Sequence, residues 1–186
     1  MKALTWVDPV TVVAFGPESS KRRLSLDSTT DRFPHRKLRE KIKKSDIHGT
    51  NGYMVYLPSS DEFLGVAHFH RPEGRGNNPY ARHGHHYTHT FFTISSDEPF
   101  RLTRISNEFL FRSQSKQPDL REDGDIIQFA GSIDLVGDDK GGKLLISYGI
   151  NDCEGATLFV DMSTIQNMLE AVHEGDEVIS LMKKKI

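Results

Sequence analysis

Residues 85–94 read His85-His86-Tyr87-Thr88-His89-Thr90-Phe91-Phe92-Thr93-Ile94. As a helix, this stretch would gather His85, His86 and His89 as spaced ligands for one ion. As a strand, it sends Tyr87 and His89 to one face of a sheet and His86 and Thr88 to the other. Thr88, Thr90, Phe91, Phe92 and Thr93 are β-branched or aromatic, and such residues favour a pleated, half-buried surface. The strand reading wins, and the histidine triad is split.

Outward from this strand the same texture repeats. Tyr53–Leu57, Phe63–His70 and Phe100–Ser106 are also rich in aromatic or β-branched residues. They are set off by Pro58-Ser59-Ser60-Asp61, by a Gly/Pro/Asn-rich loop from Arg71 to Asn78, and by Ser95–Pro99. Four successive strands joined by such turns predict one antiparallel meander. Three more strands follow at Asp125–Val136, Lys143–Tyr148 and Ala156–Met162, with Gly137–Gly142 as a turn. A four-stranded unit recurring every 40–50 residues or so is the signature of a propeller blade. The expected fold class is therefore all-β, with antiparallel four-stranded blades of a partial β-propeller and one short C-terminal helix.

The ends of the chain differ from this middle. Trp6–Phe15 reads as a first strand. Lys21–Lys44 carries ten Lys or Arg against Asp27, Asp31 and Glu40, with Phe33 as its single aromatic, and it reads as a solvated linker with a short helix near Leu38–Lys44. At the other end, Ser163 and Gln166 have the spacing of a capping box. Ile165, Met168, Leu169 and Val172 then share a helical face, with Gly175 as a stop. The expected organisation is 1–46 for strand and linker, 47–162 for the β domain of about two blades, and 163–186 for helix and tail.

Composition bounds the function. The 186 residues are 36% hydrophobic and 27% charged, with a net charge of -2. That balance argues against a nucleic-acid partner, and no apolar run approaches the roughly 20 residues of a membrane span. Met1–Phe15 contains Asp8 and Pro9 and reads as a strand, not a signal peptide, so a cytoplasmic location is the default expectation. Cys153 is the sole cysteine, so no internal disulfide forms.

Seven of the nine histidines lie between His48 and His89. His68-Phe69-His70 puts two imidazoles on one strand face, and Glu73 completes a His-x-His-x-x-Glu string similar to that of the metal-binding cupins. The carboxylate stands one or two positions too near, and the upstream glycine spacing is absent. A closed zinc site needs three or four converging ligands, so no metal or cofactor is expected. Recognition of a hydroxyl-rich ligand fits better, because it needs planar aromatic surfaces beside side chains that both donate and accept. Tyr80, Tyr87, Phe69, Phe91 and Phe92 stand near His68, His70 and His89, with Asn77, Asn78, Arg71 and Arg82 in the loop between.

Two strings are more specific. Leu145-Ile146-Ser147-Tyr148-Gly149-Ile150-Asn151-Asp152-Cys153 resembles the Tyr-Gly-x-x-Asp segment in the last blade of the β-mannoside phosphorylases and hydrolases, within the five-bladed β-propeller superfamily. Phe63-Leu64-Gly65-Val66-Ala67-His68 looks like the strand that carries a histidine into that family's active site. His86-Tyr87-Thr88-His89-Thr90-Phe91-Phe92, Phe100–Ser106 and Ile126–Ser132 are similar to neighbouring blade strands, some from propellers fused to glycosyltransferases.

The resemblance spans about Ile47 to Met162. It implies a carbohydrate ligand contacted by His68, Tyr87, His89 and Asp152, with His48 at an inner-strand start beside Gly49. It also implies cleavage or phosphorolysis of β-mannoside-like glycans, with inorganic phosphate as a further partner held by Arg71, Arg82 or Lys44. The catalytic acid is unassigned, since Asp27, Asp31 and Asp46 lack the family's Arg-Asp-Pro-like context. The alternatives are a non-catalytic carbohydrate-binding or glycosyltransferase-associated module and, third in order, a His-rich metal-dependent protein of cupin type. A five-bladed ring needs roughly 250–300 residues at about 45–50 per blade. The expectation is thus a partial ring completed by a missing segment or by oligomeric partners, or a reduced sheet covered by the terminal helix.

Overall fold

The computed structural model describes residues 2–7, 10–14, 25–30, 47–50, 53–71, 86–97, 100–111, 127–152 and 154–172. For 2–7, 10–14, 25–30, 47–50, 70, 71 and 86 it describes the backbone alone. Twelve strands appear in chain order: β1 (Lys2–Val7), β2 (Val10–Ala14), β3 (Ser25–Thr30), β4 (Ile47–Thr50), β5 (Val55–Leu57), β6 (Glu62–Arg71), β7 (His86–Ser95), β8 (Leu102–Ser106), β9 (Gln128–Val136), β10 (Lys143–Ile150), β11 (Glu154–Asp161) and β12 (Leu169–Ala171). One helix among the described residues, α1 (Met162–Met168), precedes β12. Among the described residues the architecture is all-β and antiparallel, and the sheets do not close into a ring. Among the described residues no helix is long and apolar enough to cross a membrane.

The central sheet runs β12-β8-β7-β6-β4, with β5 also paired to β6. Its middle is the meander expected from sequence. β6 and β7 pair over their full lengths, from Glu62↔Ser95 to Arg71↔His86. This register fixes the faces. Glu62, Leu64, Val66 and His68 share one face with Tyr87, His89, Phe91 and Thr93. Phe63, Gly65, Ala67 and Phe69 share the other with Thr88, Thr90, Phe92 and Ile94.

Both faces are buried, which explains why neither strand shows a clean apolar–polar alternation. On the first face Leu64, Val66 and Phe91 pack against Ile133, Leu144, Ile146, Met162 and Ile165. The partner layer is the three-stranded sheet β11-β10-β9, with α1. On the second face Phe69, Phe92, Ile94, Leu102 and Ile105 form a separate apolar cluster. Each fully buried Leu, Ile or Phe of these layers contributes about 1.5–3 kcal/mol. Gly65 lets the Phe92 ring lie across β6; a Cβ there would meet Phe92 Cζ at 2.4 Å.

Three expectations are corrected. Trp6–Phe15 is not one strand: Val7 pairs with Val10, so β1 and β2 are the arms of a hairpin joined across Asp8 and Pro9. The stretch expected to be linker contains β3, which pairs β2 along Val10↔Thr30 to Ala14↔Ser25. Its Ser28, Thr29 and Thr30 supply a weak β tendency that the surrounding basic residues mask. The helix expected near Leu38–Lys44 lies outside the described residues.

The third correction concerns the C-terminal helix. Its N-cap is Asp161, which makes no side-chain capping bond, and the helix ends at Met168. Leu169, expected on its apolar face, instead opens β12 and pairs with Ser106. Covering the open edge of β8 satisfies ladder groups that a longer helix would leave exposed. Arg104 ties the two together, donating to Gln166 Oε1 at 2.6 Å and pairing with the buried Glu62 carboxylate.

Candidate functional site

The polar end of the first face builds the site. Glu62 and Thr93 stand at one end of that face, Leu64, Val66 and Phe91 in its centre, and His68, Tyr87 and His89 at the other. His68 and His89 are direct cross-strand partners, so the period-two alternation of both strands brings their imidazoles together. Tyr87, two residues before His89, joins them; the His68 and Tyr87 ring centroids are 5.7 Å apart.

β9 closes over this end. It is an edge strand of its sheet and lies against β6 and β7. Phe129 sits with its ring centroid 4.7 Å from His68 and 6.1 Å from Tyr87, at 85° to the tyrosine ring. It is also 43% exposed. Phe129 and the half-buried Tyr87 thus form a surface aromatic patch packed against the buried ring of His68.

His89 lies beneath it, wholly buried. Its ring centroid is 4.5 Å from that of Phe111 and 6.1 Å from that of Phe109. Its backbone exchanges two hydrogen bonds of 2.8 Å with Phe109. Its Nε2 accepts a hydrogen bond from the Ala130 amide at 3.2 Å, which places the ring proton on Nδ1. Nδ1 is buried with no hydrogen-bond partner among the described residues. Burial pushes the His89 pKa down to about 3, and the neighbouring His68 pushes the same way. His89 is therefore a neutral ring that caps the edge of β9 and holds Phe129 over His68.

The stacking continues inward. Phe111 lies 4.5 Å from Tyr148, and its backbone N–H and C=O both bond the buried Gln128 side chain, at 2.8 and 3.0 Å. Tyr148, in the Tyr-Gly-x-x-Asp string, is thus a core residue. Asp152 is exposed at the β10–β11 turn, where Asn151 (φ 50) and Asp152 (φ 58) both adopt left-handed backbone. Asn and Asp tolerate that conformation better than most residues. Since Ile150 pairs with Gln128, this turn lies at the same end of the sheet as Phe129.

His68, Tyr87 and His89 are thus brought together. Asp152 stands on the neighbouring sheet, and His48 enters through its backbone in β4, beside Gly49, which pairs with His68. Phe69 and Phe92, expected among the ligand-facing aromatics, belong to the opposite-face cluster instead. Phe91 is buried in the first-face core. Tyr80, Asn77, Asn78 and Arg82 lie outside the described residues, as do the side chains of His48, His70 and Arg71. Among the described residues, no three His, Cys, Asp or Glu side chains are grouped as a metal ion would require.

Sequence reasoning missed Phe129 as a site residue. Its signal was the alternation Gln128-Phe129-Ala130, which turns a large aromatic away from the core side of β9. No protein-family model, curated protein or solved structure matches this chain.

Proposed function

We propose that this chain binds carbohydrate at the His68–Tyr87–Phe129 patch. The single observation that carries the reading is Phe129, a large ring left 43% exposed yet fixed against an imidazole and a phenol. An exposed aromatic face beside groups that donate and accept hydrogen bonds suits a pyranose, which has an apolar C–H face and a rim of hydroxyls. The β10–β11 turn with Asp152 sits at the same end of the sheet and forms the rim of the proposed site. In this reading the two successive meanders, β5 to β8 and β9 to β11, are blades of a propeller-type domain, with the open edges available to further blades.

Calorimetric titration with manno-, cello- and xylo-oligosaccharides tests binding. The Phe129→Ala variant is expected to lose about tenfold in affinity, or about 1.4 kcal/mol. Saturable binding unaltered in that variant would move the site elsewhere, and no binding to any of the three series would defeat the reading.

A catalytic version adds cleavage or phosphorolysis of a β-mannoside. Its support is Asp152 at the rim, because glycoside cleavage draws on two carboxyl groups, or on one with an activated phosphate or water. Release of mannose or mannose 1-phosphate from manno-oligosaccharides, abolished by Asp152→Asn, would establish it; binding without release would leave a recognition module.

A further inference from the structure

The sheet β11-β10-β9 has two edges, and the fold treats them differently. β9 lies against β6 and β7, where the Ala130 amide donates to His89. β11 ends the sheet, with no strand beyond it among the described residues. The ladder tells which of its backbone groups are left over. The Met162 N–H donates to Gly142 O at 3.0 Å, and these two residues continue the register in which Lys143 pairs with Asp161. Antiparallel pairs alternate between hydrogen-bonded and non-hydrogen-bonded, so Val160, Leu158 and Ala156 also bond β10. Gly155, Thr157, Phe159 and Asp161 therefore turn their N–H and C=O groups to the open edge.

Such an edge is a template for another strand, and proteins usually blunt it with lysine, proline, a bulge or shortness. β11 uses none of these. It has eight residues, Glu154-Gly155-Ala156-Thr157-Leu158-Phe159-Val160-Asp161, with charge only at the first and last. Its pairing with β10 runs without a register shift. Its side chains are also incompletely covered on both faces. Ala156, Leu158 and Val160 pack on the first-face core yet stay half-buried, while Phe159, on the outer face, is 59% exposed. A further strand beside β11 would cover both sets.

We infer that this strand is β11 of a second copy of the chain, paired antiparallel about a two-fold axis at Leu158. In that register the edge is complementary to itself. Thr157 and Phe159 of each copy stand opposite Phe159 and Thr157 of the other. They exchange the free N–H···O=C bonds and form aromatic–β-branched pairs, which stabilise sheets. On the inner face Leu158 meets its own copy, flanked by Ala156 opposite Val160, so the two first-face cores join across the axis. Asp161 falls opposite Gly155 and Glu154 opposite Met162, so no two carboxylates face each other. One contact closes both edges, as an isologous interface does. An unrelated extended segment would have to supply this pattern, whereas a second copy already carries it. Phe129 lies on β9, at the other edge of the sheet, so the inference does not rest on the carbohydrate reading.

The test is sedimentation velocity of the full chain over about 1–100 μM, comparing wild type with Thr157→Pro and Phe159→Lys. Proline removes an N–H that faces the edge and no bond to β10, and lysine replaces an exposed ring. Each variant therefore keeps its fold, checked by circular dichroism. The wild type is expected to dimerise within that range, and each variant to weaken the dimer by about tenfold or more. Leu158→Cys in a Cys153→Ser background should cross-link the dimer on mild oxidation. The two copies of residue 158 form a non-hydrogen-bonded pair, whose side chains approach closest. A wild-type monomer throughout the range, a dimer unweakened in both variants, or no cross-link at residue 158 would overturn the inference. The first of these would leave the edge to an extended segment of another protein.

Discussion

Replacing His89 by glutamine gives a pH-dependent outcome with a calculable size. His89 is buried, neutral and held to a pKa of about 3, whereas an unfolded histidine titrates near 6.5. Between those values only the unfolded chain binds this proton. Stability from this group is therefore complete above about pH 6.5 and is lost as the pH falls toward 3. From pH 7 to pH 5 the loss amounts to about 2 kcal/mol at 25 °C. The structure's other lowered groups, such as Glu62 and Asp138, are carboxylates that lose their contribution at lower pH, so this window belongs to histidine. Glutamine can still accept from the Ala130 amide but does not titrate. Urea denaturation at pH 7 and pH 5 should show the wild type losing about 2 kcal/mol more than His89→Gln over that interval. Comparing slopes cancels the packing lost on substitution and the titration of the remaining histidines. Equal slopes would refute the placement of His89 as a buried neutral ring.

Two further substitutions probe how the site is supported. Gly65→Ala forces a Cβ to within 2.4 Å of Phe92 Cζ, so overpacking should cost about 1–3 kcal/mol in urea melts; no loss would mean that Phe92 does not lie over β6. Gln128→Met keeps the approximate volume but strips Phe111 of both partners of its buried backbone. It should cost roughly 3 kcal/mol, and a loss below about 1 kcal/mol would mean that the 107–111 segment is not held there.

The central meander was legible because each strand carries its own local signal. In β7 the run Thr88-His89-Thr90-Phe91-Phe92 decided strand over helix, and the same alternation placed Tyr87 and His89 together. The β9–β11 meander was legible for the same reason, with Gly137–Gly142 marking its turn. What local pattern does not encode is a contact between sheets. Phe129 meets His68 only because the edge of β9 settles over β6 and β7. Phe109 and Phe111 enclose His89 through a segment without strand periodicity. Leu169 shows the opposite failure. Its spacing from Ile165 is helical, yet the open edge of β8 draws it into a ladder, and tertiary pairing overrides a short helix's weak preference. Asp152 is explained at the local level by a left-handed turn, and only the register of β10 with β9 brings that turn to the end of the sheet where Phe129 lies.

The most direct measurement is chemical-shift mapping of the isotope-labelled chain during titration with mannohexaose. The account predicts saturable shifts concentrated on the ring resonances of His68, Tyr87 and Phe129, with the buried Phe92 and Ile94 unmoved. Shifts that cluster on the opposite face of the central sheet, or no saturable shifts at all, would contradict it.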